Sequence, residues 1–443
     1  MKIGKPDIVV HGDSAKLIAS VEFAEQKTAL WYQVDQQYQD YLVHEKLDGF
    51  LVGLLILAMK LGEDIELAAP VSEKLYYNLT RYYMPILVQI IPGLCLIDIH
   101  AHAGFDYGTS YEPPKGVVTG FSAGIDSFCT LADHLYQPDI PDSFKLTHLV
   151  FNNVGAHGDE QSEPARTLFN KRFHNIKSIS EEIQLPFIKI DSNLSDLLQM
   201  NFQQTNTPRN ISAVLILQKL FRKYYYASSC DYSKSFVGPI HDTCYSDPIT
   251  LSLLSTETME CIPSGSQYTR SGKTKIVSEL ALSQLHLNVC VAPDEDAGNC
   301  GQCFKCLRTL LDLEILNKLE NYSSLFNMTN YYRKRDWYKI KVLSGHAGSV
   351  AVELIQSKEE HGYHFRPYHY AAGALLKIIP VPLMKRFQKK LAIKNLICWT
   401  LQIVWRSKIA DSSVAAAIGN FDWAAAFREK SLPSFKLGSS TKR

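Results

Sequence analysis

The sequence contains no apolar run long enough to cross a membrane. Its two most apolar stretches, Phe50–Met59 and Leu396–Trp405, are shorter than the roughly 20 residues that a spanning helix needs. The N-terminal residues also lack the apolar core of a signal peptide. We therefore expect a cytoplasmic protein without a membrane span.

The chain has no excess of charge of either sign. Its 46 lysines and arginines balance 45 aspartates and glutamates, which leaves a formal net charge of +1. Proteins that bind nucleic acid usually carry a basic surface, so this balance gives no strong signal for a nucleic-acid partner. The length of 443 residues exceeds that of one ordinary core, and we expect two or three domains.

Three segments differ in their pattern. Residues 1–112 combine short strand-like runs with apolar helices and contain no residues that indicate chemistry. We interpret them as a small α+β accessory domain for packing or dimerisation, which leaves a homodimer open. Residues 115–320 alternate strands with helices, a pattern that favours a parallel α/β sheet with right-handed crossovers. Residues 330–435 are mostly helical in pattern.

The predicted elements of the middle segment follow from short β-rich runs and longer helical runs. The predicted strands are Gly116–Phe121, His148–Asn153, Phe187–Ile190, Phe236–Ile240 and Glu260–Pro263. The predicted helices are Asp126–Leu135, Glu160–Ile183, Asn210–Tyr226, Asp247–Leu254 and Lys273–Leu285.

The most informative motif joins the first of these strands to the first helix. It consists of Phe121, Ser122, Ala123, Gly124, Ile125, Asp126 and Ser127. Small residues let the backbone approach an anion, and a helix N-terminus presents free N–H groups. We predict a phosphate-binding loop, in which Ser122 and Ser127 add hydroxyl donors and Asp126 caps the turn or binds magnesium. A plain strand–turn–helix corner is the alternative interpretation. The Walker pattern is absent.

Four of the ten cysteines are closely spaced. Cys290, Cys300, Cys303 and Cys306 form the pattern C-x9-C-x2-C-x2-C. Four thiolates on a compact loop suit a closed, structural zinc site, and a [4Fe–4S] cluster is the alternative. The remaining cysteines are expected to be buried and inert, although Cys129 and Cys244 could be nucleophiles of a thiolation reaction.

The run from Phe121 to Ser127 resembles the pyrophosphate-binding SGGxDS motif of the PP-loop ATP pyrophosphatases. In that group the loop binds the β- and γ-phosphates of ATP while the α-phosphorus is attacked, which gives an adenylated intermediate and pyrophosphate. Ala123 stands where the family usually has glycine. An alanine would be strained there if the position needs a positive φ.

Together with the cysteine cluster, three further segments resemble the 7-cyano-7-deazaguanine synthases, the PP-loop enzymes of the queuosine pathway. They are Pro208-Arg209-Asn210 at the head of a helix, the loop of Gly238, His241, Asp242, Tyr245 and Asp247, and the run Lys273–Val277. The resemblance covers residues 115–320. It implies a Rossmann-like sheet of the adenine nucleotide alpha hydrolase (HUP) type, with ATP at the carboxyl ends of the strands.

The resemblance also implies an ATP-dependent ligase or amidating enzyme. Such an enzyme adenylates a carboxylate or amide oxygen, and ammonia or an amine then displaces AMP. The implied cofactors are ATP, Mg²⁺ and structural Zn²⁺, and the acceptor is an unidentified small molecule or protein. The implied catalytic residues are Asp126, Lys273 and Arg209, and the implied substrate-binding residues are Asn210, Gly238, Asp242, Tyr245 and Asp247.

Two other functions remain open at this point. A PP-loop sulfur transferase acting on tRNA would need a reactive thiol such as Cys129 or Cys244. The protein could instead be a non-catalytic, nucleotide-sensing scaffold. In that case Ala123 would indicate that the loop has lost its catalytic function.

Overall fold

An 11-stranded mixed sheet runs through the part of the chain that the computed structural model describes, namely residues 1–109, 111–156, 163–239, 241–291 and 298–377. Most neighbouring strands are parallel, and a separate two-stranded sheet pairs β6 (Val71–Ser72) with β8 (Phe105–Asp106). The other strands are β1 (Lys2–Ile3), β2 (Asp7–His11), β3 (Ser14–Phe23), β4 (Gln26–Asp35), β5 (Ile65–Leu67), β7 (Ile99–His100), β9 (Gly116–Gly120), β10 (His148–Asn153), β11 (Phe187–Ser192), β12 (Phe221–Ala227) and β13 (Glu260–Ser264).

The helices connect the strands and cover the sheet. They are α1 (Asp48–Leu61), α2 (Glu73–Asn78), α3 (Met84–Ile90), α4 (Ile125–Leu131), α5 (Glu163–Ile176), α6 (Ser178–Ile183), α7 (Leu194–Leu198), α8 (Phe202–Leu215), α9 (Asp247–Thr250), α10 (Arg270–Ser278), α11 (Ala281–His286), α12 (Phe304–Ile315), α13 (Met328–Leu343), α14 (Val350–Glu360) and α15 (Pro367–Lys377). No helix among the described residues is long and apolar enough to cross a membrane.

The five strands β9 to β13 are parallel, and their spatial order is β13-β12-β9-β10-β11. The first of them along the chain, β9, lies at the centre. The next two, β10 and β11, lie on one side of it, and β12 and β13 lie on the other. This arrangement puts the reversal of strand order at β9. In open α/β sheets, ligands bind at the carboxyl ends of the strands beside such a reversal.

Alternating residues of the strands face two separate cores, because successive strand side chains point to opposite sides. Val118 packs in a core with α1 and α8, whereas Val117 packs in a core with α4 and α12. Both faces of the parallel sheet are therefore covered, which confirms the predicted α/β class.

The N-terminal strands continue the same sheet. The two ten-residue strands β3 and β4 pair through a tight turn in which Ala24 and Glu25 have positive φ. Tyr32 of β4 then pairs with Ser192 of β11 in the antiparallel sense. The sheet is thus continuous across residue 112, and the predicted division there stays a prediction.

The C-terminal helices pack on the outer side of α12. Leu311 and Ile315 of α12 share a small core with residues of α13 and α14, including Val342 and Leu354. The helical prediction for residues 330–435 is met by α13, α14 and α15 as far as residue 377. Its remainder lies outside the described residues.

Two predicted elements are wrong. The predicted helix Asn210–Tyr226 ends at Leu215, and its last part is the strand β12. The predicted strand Phe236–Ile240 is irregular over residues 236–239. The helix was predicted too long because the aromatic run of Tyr224 to Tyr226 favours a strand, in which successive tyrosines fill opposite cores.

Pro208 also lies inside α8 and not at its head, because Asn201 caps that helix and α8 begins at Phe202, eight residues before the predicted start at Asn210.

Candidate functional site

The loop from Phe121 to Ser127 follows β9 directly and leads into α4. Among the described residues, no protein acceptor is found for the backbone N–H groups of residues 122–127. Ser122 is exposed at the loop, whereas the buried Ser127 donates its hydroxyl to the carbonyl of Gly124 at 3.0 Å. Free N–H groups at a helix N-terminus are a ready site for an anion.

Ala123 has a φ of +57°, the left-handed conformation that favours glycine. Its side chain is fully buried, and its carbonyl accepts a hydrogen bond of 2.8 Å from the backbone N–H of Asn288. The predicted condition for strain is therefore met. The strain costs about 1–2 kcal/mol, and burial of the methyl group offsets about 0.8 kcal/mol of it.

Asp126 forms ion pairs with two cations of α10. Its Oδ1 lies 3.1 Å from Nζ of Lys273, and the guanidinium of Arg270 binds its other oxygen. Burial alone would raise the pKa of Asp126, but the charges of Arg270 and Lys273 outweigh that effect and hold the pKa well below its usual range. Asp126 therefore stays ionised and fixes both cations beside the loop.

Lys273 is almost completely buried, with 1% of its surface exposed. Its ammonium group donates to the carbonyl of Ser228, just beyond the carboxyl end of β12, as well as to Asp126. Lys273, an implied catalytic residue, thus lies beside the loop of residues 121–127, and its catalytic role stays a prediction.

Arg270 was missed by the sequence analysis. It opens α10, whose first turn is capped by the hydroxyl of Thr269. A cation at this end faces the positive end of the helix dipole, which is unfavourable. Glu353 of α14 compensates by accepting from the backbone N–H of Arg270 at 2.7 Å. Two cations, Arg270 and Lys273, in a first helical turn were the signal that could have found this site.

A second group of polar residues surrounds α8 on the opposite face of the sheet. Asn210 accepts from Asn152, which lies near the end of β10, at 3.2 Å. Asn206, one turn earlier, donates to Asp242 at 3.4 Å. Asp242 in turn caps the short helical turn that contains Tyr245. The structure therefore brings three predicted substrate-binding residues, Asn210, Asp242 and Tyr245, into one region.

Asp247 and Gly238 belong to the same region. The side chain of Asp247 is 1% exposed; its Oδ1 accepts from Thr207 at 2.6 Å, and its Oδ2 is buried with no partner among the described residues. Gly238 is buried against Phe236, whose ring would lie 2.5 Å from an added Cβ. A buried acceptor without a donor is costly, so this region favours a ligand that donates hydrogen bonds.

Burial raises the pKa of Asp247 to about 7, while the bond from Thr207 opposes that shift. Between its unfolded pKa near 4 and its folded pKa near 7, the folded protein binds more protons than the unfolded chain, so stability falls as pH rises through that window. Asp247→Asn removes this effect and keeps an acceptor for Thr207.

We expect Asp247→Asn to gain stability over the wild type as pH rises from 5 to 8, by roughly 2–3 kcal/mol. Urea unfolding of both proteins at the two pH values measures this difference. If the unfolding free energies of wild type and variant changed equally with pH, burial would not raise the pKa of Asp247.

Arg209 is placed differently from the other predicted catalytic residues. It is 1% exposed, and it donates to the carbonyls of Val154 and Met200 at 3.1 and 2.7 Å and to the hydroxyl of Thr205 at 2.7 Å. These contacts tie α8 to the segment after β10, and none of them reaches Asp126. Its role in charge neutralisation stays a prediction.

The four clustered cysteines come together as predicted. The sulfur atoms of Cys290, Cys300, Cys303 and Cys306 all lie within 4.8 Å of one another, and two pairs are 4.0 and 3.9 Å apart. Four sulfurs about 2.3 Å from a tetrahedral ion would be about 3.8 Å apart. The cluster could therefore hold a metal ion such as zinc. Among the described residues no other group of three or more histidine, cysteine or acidic side chains has such spacing.

The cysteine cluster is connected through the chain to the loop of residues 121–127. Asn288, whose N–H donates to Ala123, lies two residues before Cys290 and accepts from its N–H at 3.3 Å. Cys303 caps α12 by accepting from the N–H of Cys306. An ion at the cluster would therefore fix both the phosphate loop and the start of α12.

The two glycines beside Cys300 differ in the space that is available for a side chain. Gly301 has a φ of +70°, and an added Cβ would lie 2.1 Å from the backbone oxygen of Asn327. At Gly298 the nearest atom to an added Cβ is 3.4 Å away. We expect Gly301→Ala to cost roughly 2–5 kcal/mol and to lose bound metal, because the clash and the strain add.

Gly298→Ala is the matched control and should keep both stability and metal. Thermal unfolding and metal analysis of the two purified variants test this expectation. Equal metal content and equal midpoints would mean that the turn at Gly301 is not fixed as described.

Comparisons with family models, with curated proteins and with solved structures find no match for this chain. Its function must therefore be argued from the residues of the site.

Proposed function

We propose that this protein is an ATP-dependent enzyme that adenylates a carboxylate or amide-type acceptor, releases pyrophosphate and joins the acceptor to ammonia or an amine. One observation carries the proposal: a loop of free backbone N–H groups, residues 122–127, lies beside Arg270 and Lys273 at the carboxyl edge of a parallel sheet. Phosphate is the ligand that free N–H groups, a helix N-terminus and paired cations have in common.

We further propose that the parallel sheet is Rossmann-like and that the chain is a PP-loop protein similar to the 7-cyano-7-deazaguanine synthases. The strand order with β9 at the reversal supports this assignment, since β9 leads directly into the loop. So does the left-handed conformation of Ala123, because a glycine at that position in the resembled motif suits the same backbone.

In this proposal each residue of the loop region has a distinct task. The N–H groups of the loop and the hydroxyl of Ser122 bind the β- and γ-phosphates. Lys273 and Arg270 neutralise the charge that develops as pyrophosphate leaves, and Asp126 holds these cations in place before ATP arrives. Catalysis by placement and charge neutralisation is what nucleotidyl transfer requires. Magnesium would be held mainly by the phosphates, with Asp126 as the nearest carboxylate.

The acceptor would bind at the second group, around Asp242 and Asp247. Its oxygen attacks the α-phosphorus, the bond to the bridging oxygen breaks, and pyrophosphate leaves with that electron pair. An amine then attacks the activated carbon and AMP leaves. The buried, unpartnered oxygen of Asp247 supports an acceptor with hydrogen-bond donors.

The four-cysteine cluster is proposed to hold zinc with no open position. The sulfur spacing favours a single tetrahedral ion over an iron–sulfur cube, in which each cysteine binds a different iron. A closed zinc supplies no reaction chemistry and would stabilise the fold near the loop.

The sulfur-transfer alternative finds less support. Burial raises the pKa of the Cys129 thiol to about 12, and Asp133 adds to the effect. The hydrogen bond to Cys230 and burial likewise raise the pKa of Cys244. A nucleophilic cysteine needs a lowered pKa and access to solvent, and both thiols are buried.

The test is pyrophosphate release from Mg-ATP in the presence of a metabolite extract. Wild type should release pyrophosphate, and Asp126→Ala should not. Asp139→Ala, which removes an exposed carboxylate, is the control and should behave as wild type. If wild type binds ATP but releases no pyrophosphate with any extract, the nucleotide-sensing scaffold becomes the better proposal.

A further inference from the structure

Two cations of α12 have no partner in the part of the chain that the structure describes. Lys305 and Arg308 are partly buried, and neither forms an ion pair or hydrogen bond with another described residue. The Nε atom of Arg308 is inaccessible to water and has no acceptor. Removing a charged group from water without pairing it is unfavourable, and none of the described acidic side chains pairs with these two cations, so the position favours an added anion.

The helix geometry directs these cations towards the phosphate loop. Asp312 lies one turn after Arg308 and accepts from the hydroxyl of Ser271, in the first turn of α10, at 2.9 Å. Residues four apart share a helix face, and Lys305 precedes Arg308 by three positions on that face. The face of α12 that carries Lys305 and Arg308 therefore packs towards the end of α10 that holds Arg270.

Asp126 binds Arg270 and Lys273, and it forms no ion pair with Lys305 or Arg308.

We propose that Lys305 and Arg308 bind the leaving pyrophosphate moiety of the nucleotide, so that the phosphate site is closed by cations from two helices, α10 and α12. This inference rests on the proposed function. A diphosphate carries several negative charges and can accept from both cations, and the planar guanidinium of arginine suits two phosphate oxygens at once. Because Cys303 caps α12 and Cys306 lies within it, the same cluster that could hold a metal also sets the position of these cations.

The experiment measures binding of inorganic pyrophosphate to the purified, metal-loaded protein by titration calorimetry. We expect Arg308→Gln and Lys305→Gln each to raise the Kd by about 10- to 100-fold, the loss typical of one charge-assisted contact. Arg308→Lys should recover part of the affinity. Lys275→Gln removes an exposed cation of α10 and should bind as wild type.

Binding of AMP is measured as a second probe and should change by less than about twofold in all variants, because AMP does not reach the cations of α12. Thermal unfolding and metal content show which variants are folded. If Arg308→Gln does not fold, the pyrophosphate affinity of Lys305→Gln tests the inference. Unchanged pyrophosphate affinity in the folded variants would overturn the inference. No pyrophosphate binding by wild type would instead overturn the proposed phosphate loop, and the inference with it.

Discussion

We expect Lys273→Met to lower the proposed release of pyrophosphate from Mg-ATP by about 100- to 1,000-fold, the usual effect of removing one preorganised donor from a transition state. The ammonium group is 1% exposed, lies 3.1 Å from Asp126 and is bound by the carbonyl of Ser228. Methionine fills most of the same space but lacks the ammonium group and its hydrogen bonds to Asp126 and Ser228. The rate is measured with saturating ATP and the same acceptor source as for wild type.

The control for this prediction lies two residues further along α10. Lys275→Met makes the same chemical change at an exposed position and should keep the full rate. Lys273→Arg tests the geometry, because a guanidinium restores the charge but not the fit in a buried space. A wild-type rate for Lys273→Met would remove this lysine from the site.

Cys303→Ser has the largest expected effect on stability. Its sulfur caps α12, lies 4.0 Å from that of Cys290 and belongs to the cluster that could hold a metal. We expect loss of the metal and a fall of roughly 10 °C in the unfolding midpoint, because metal binding at such a site contributes directly to folding. Nucleotide affinity should fall too, since Asn288 ties the segment before Cys290 to the phosphate loop.

Cys95→Ser provides the matched control, because Cys95 is an exposed free cysteine outside the cluster. It should leave metal content, midpoint and nucleotide affinity unchanged. Removing the metal from wild type with a chelator should reproduce the properties of Cys303→Ser. A variant that keeps its metal and its midpoint would refute a structural role for the cluster.

Local features of the sequence predicted the parts of the site that depend on neighbouring residues. The turn from β9 into α4 and the four-cysteine spacing could be recognised because each is a short motif with one geometric solution. The strain at Ala123 was foreseeable for the same reason: its φ of +57° is a property of the turn itself.

The parts that the sequence did not predict depend on distant contacts. Arg270 reaches Asp126 across 144 residues, and Glu353, which supports α10, comes from a helix 83 residues later. The strand β12 was mistaken for helix because its aromatic residues gain their stability from two cores on either side of the sheet. The aromatic run itself favours a strand, but the core that each ring fills is set by residues far along the chain.

The continuity of the sheet was also beyond the sequence. Residues 1–112 show no motif, yet β4 pairs with β11 at Tyr32 and Ser192. A backbone pairing of this kind leaves no trace in residue type, because its hydrogen bonds join main-chain atoms. The N-terminal segment therefore extends the sheet that carries the site, and its effect on the activity can be tested only in the whole chain.

We propose that ATP is cleaved between its α- and β-phosphates at the loop of residues 122–127. The most direct measurement follows ATP labelled at the α-phosphate with purified wild type, magnesium and an acceptor extract, and separates the labelled products. We predict labelled AMP or an adenylated acceptor together with an equal amount of pyrophosphate, and neither from Asp126→Ala. Labelled ADP as the product, or equal turnover by Asp126→Ala, would contradict the account.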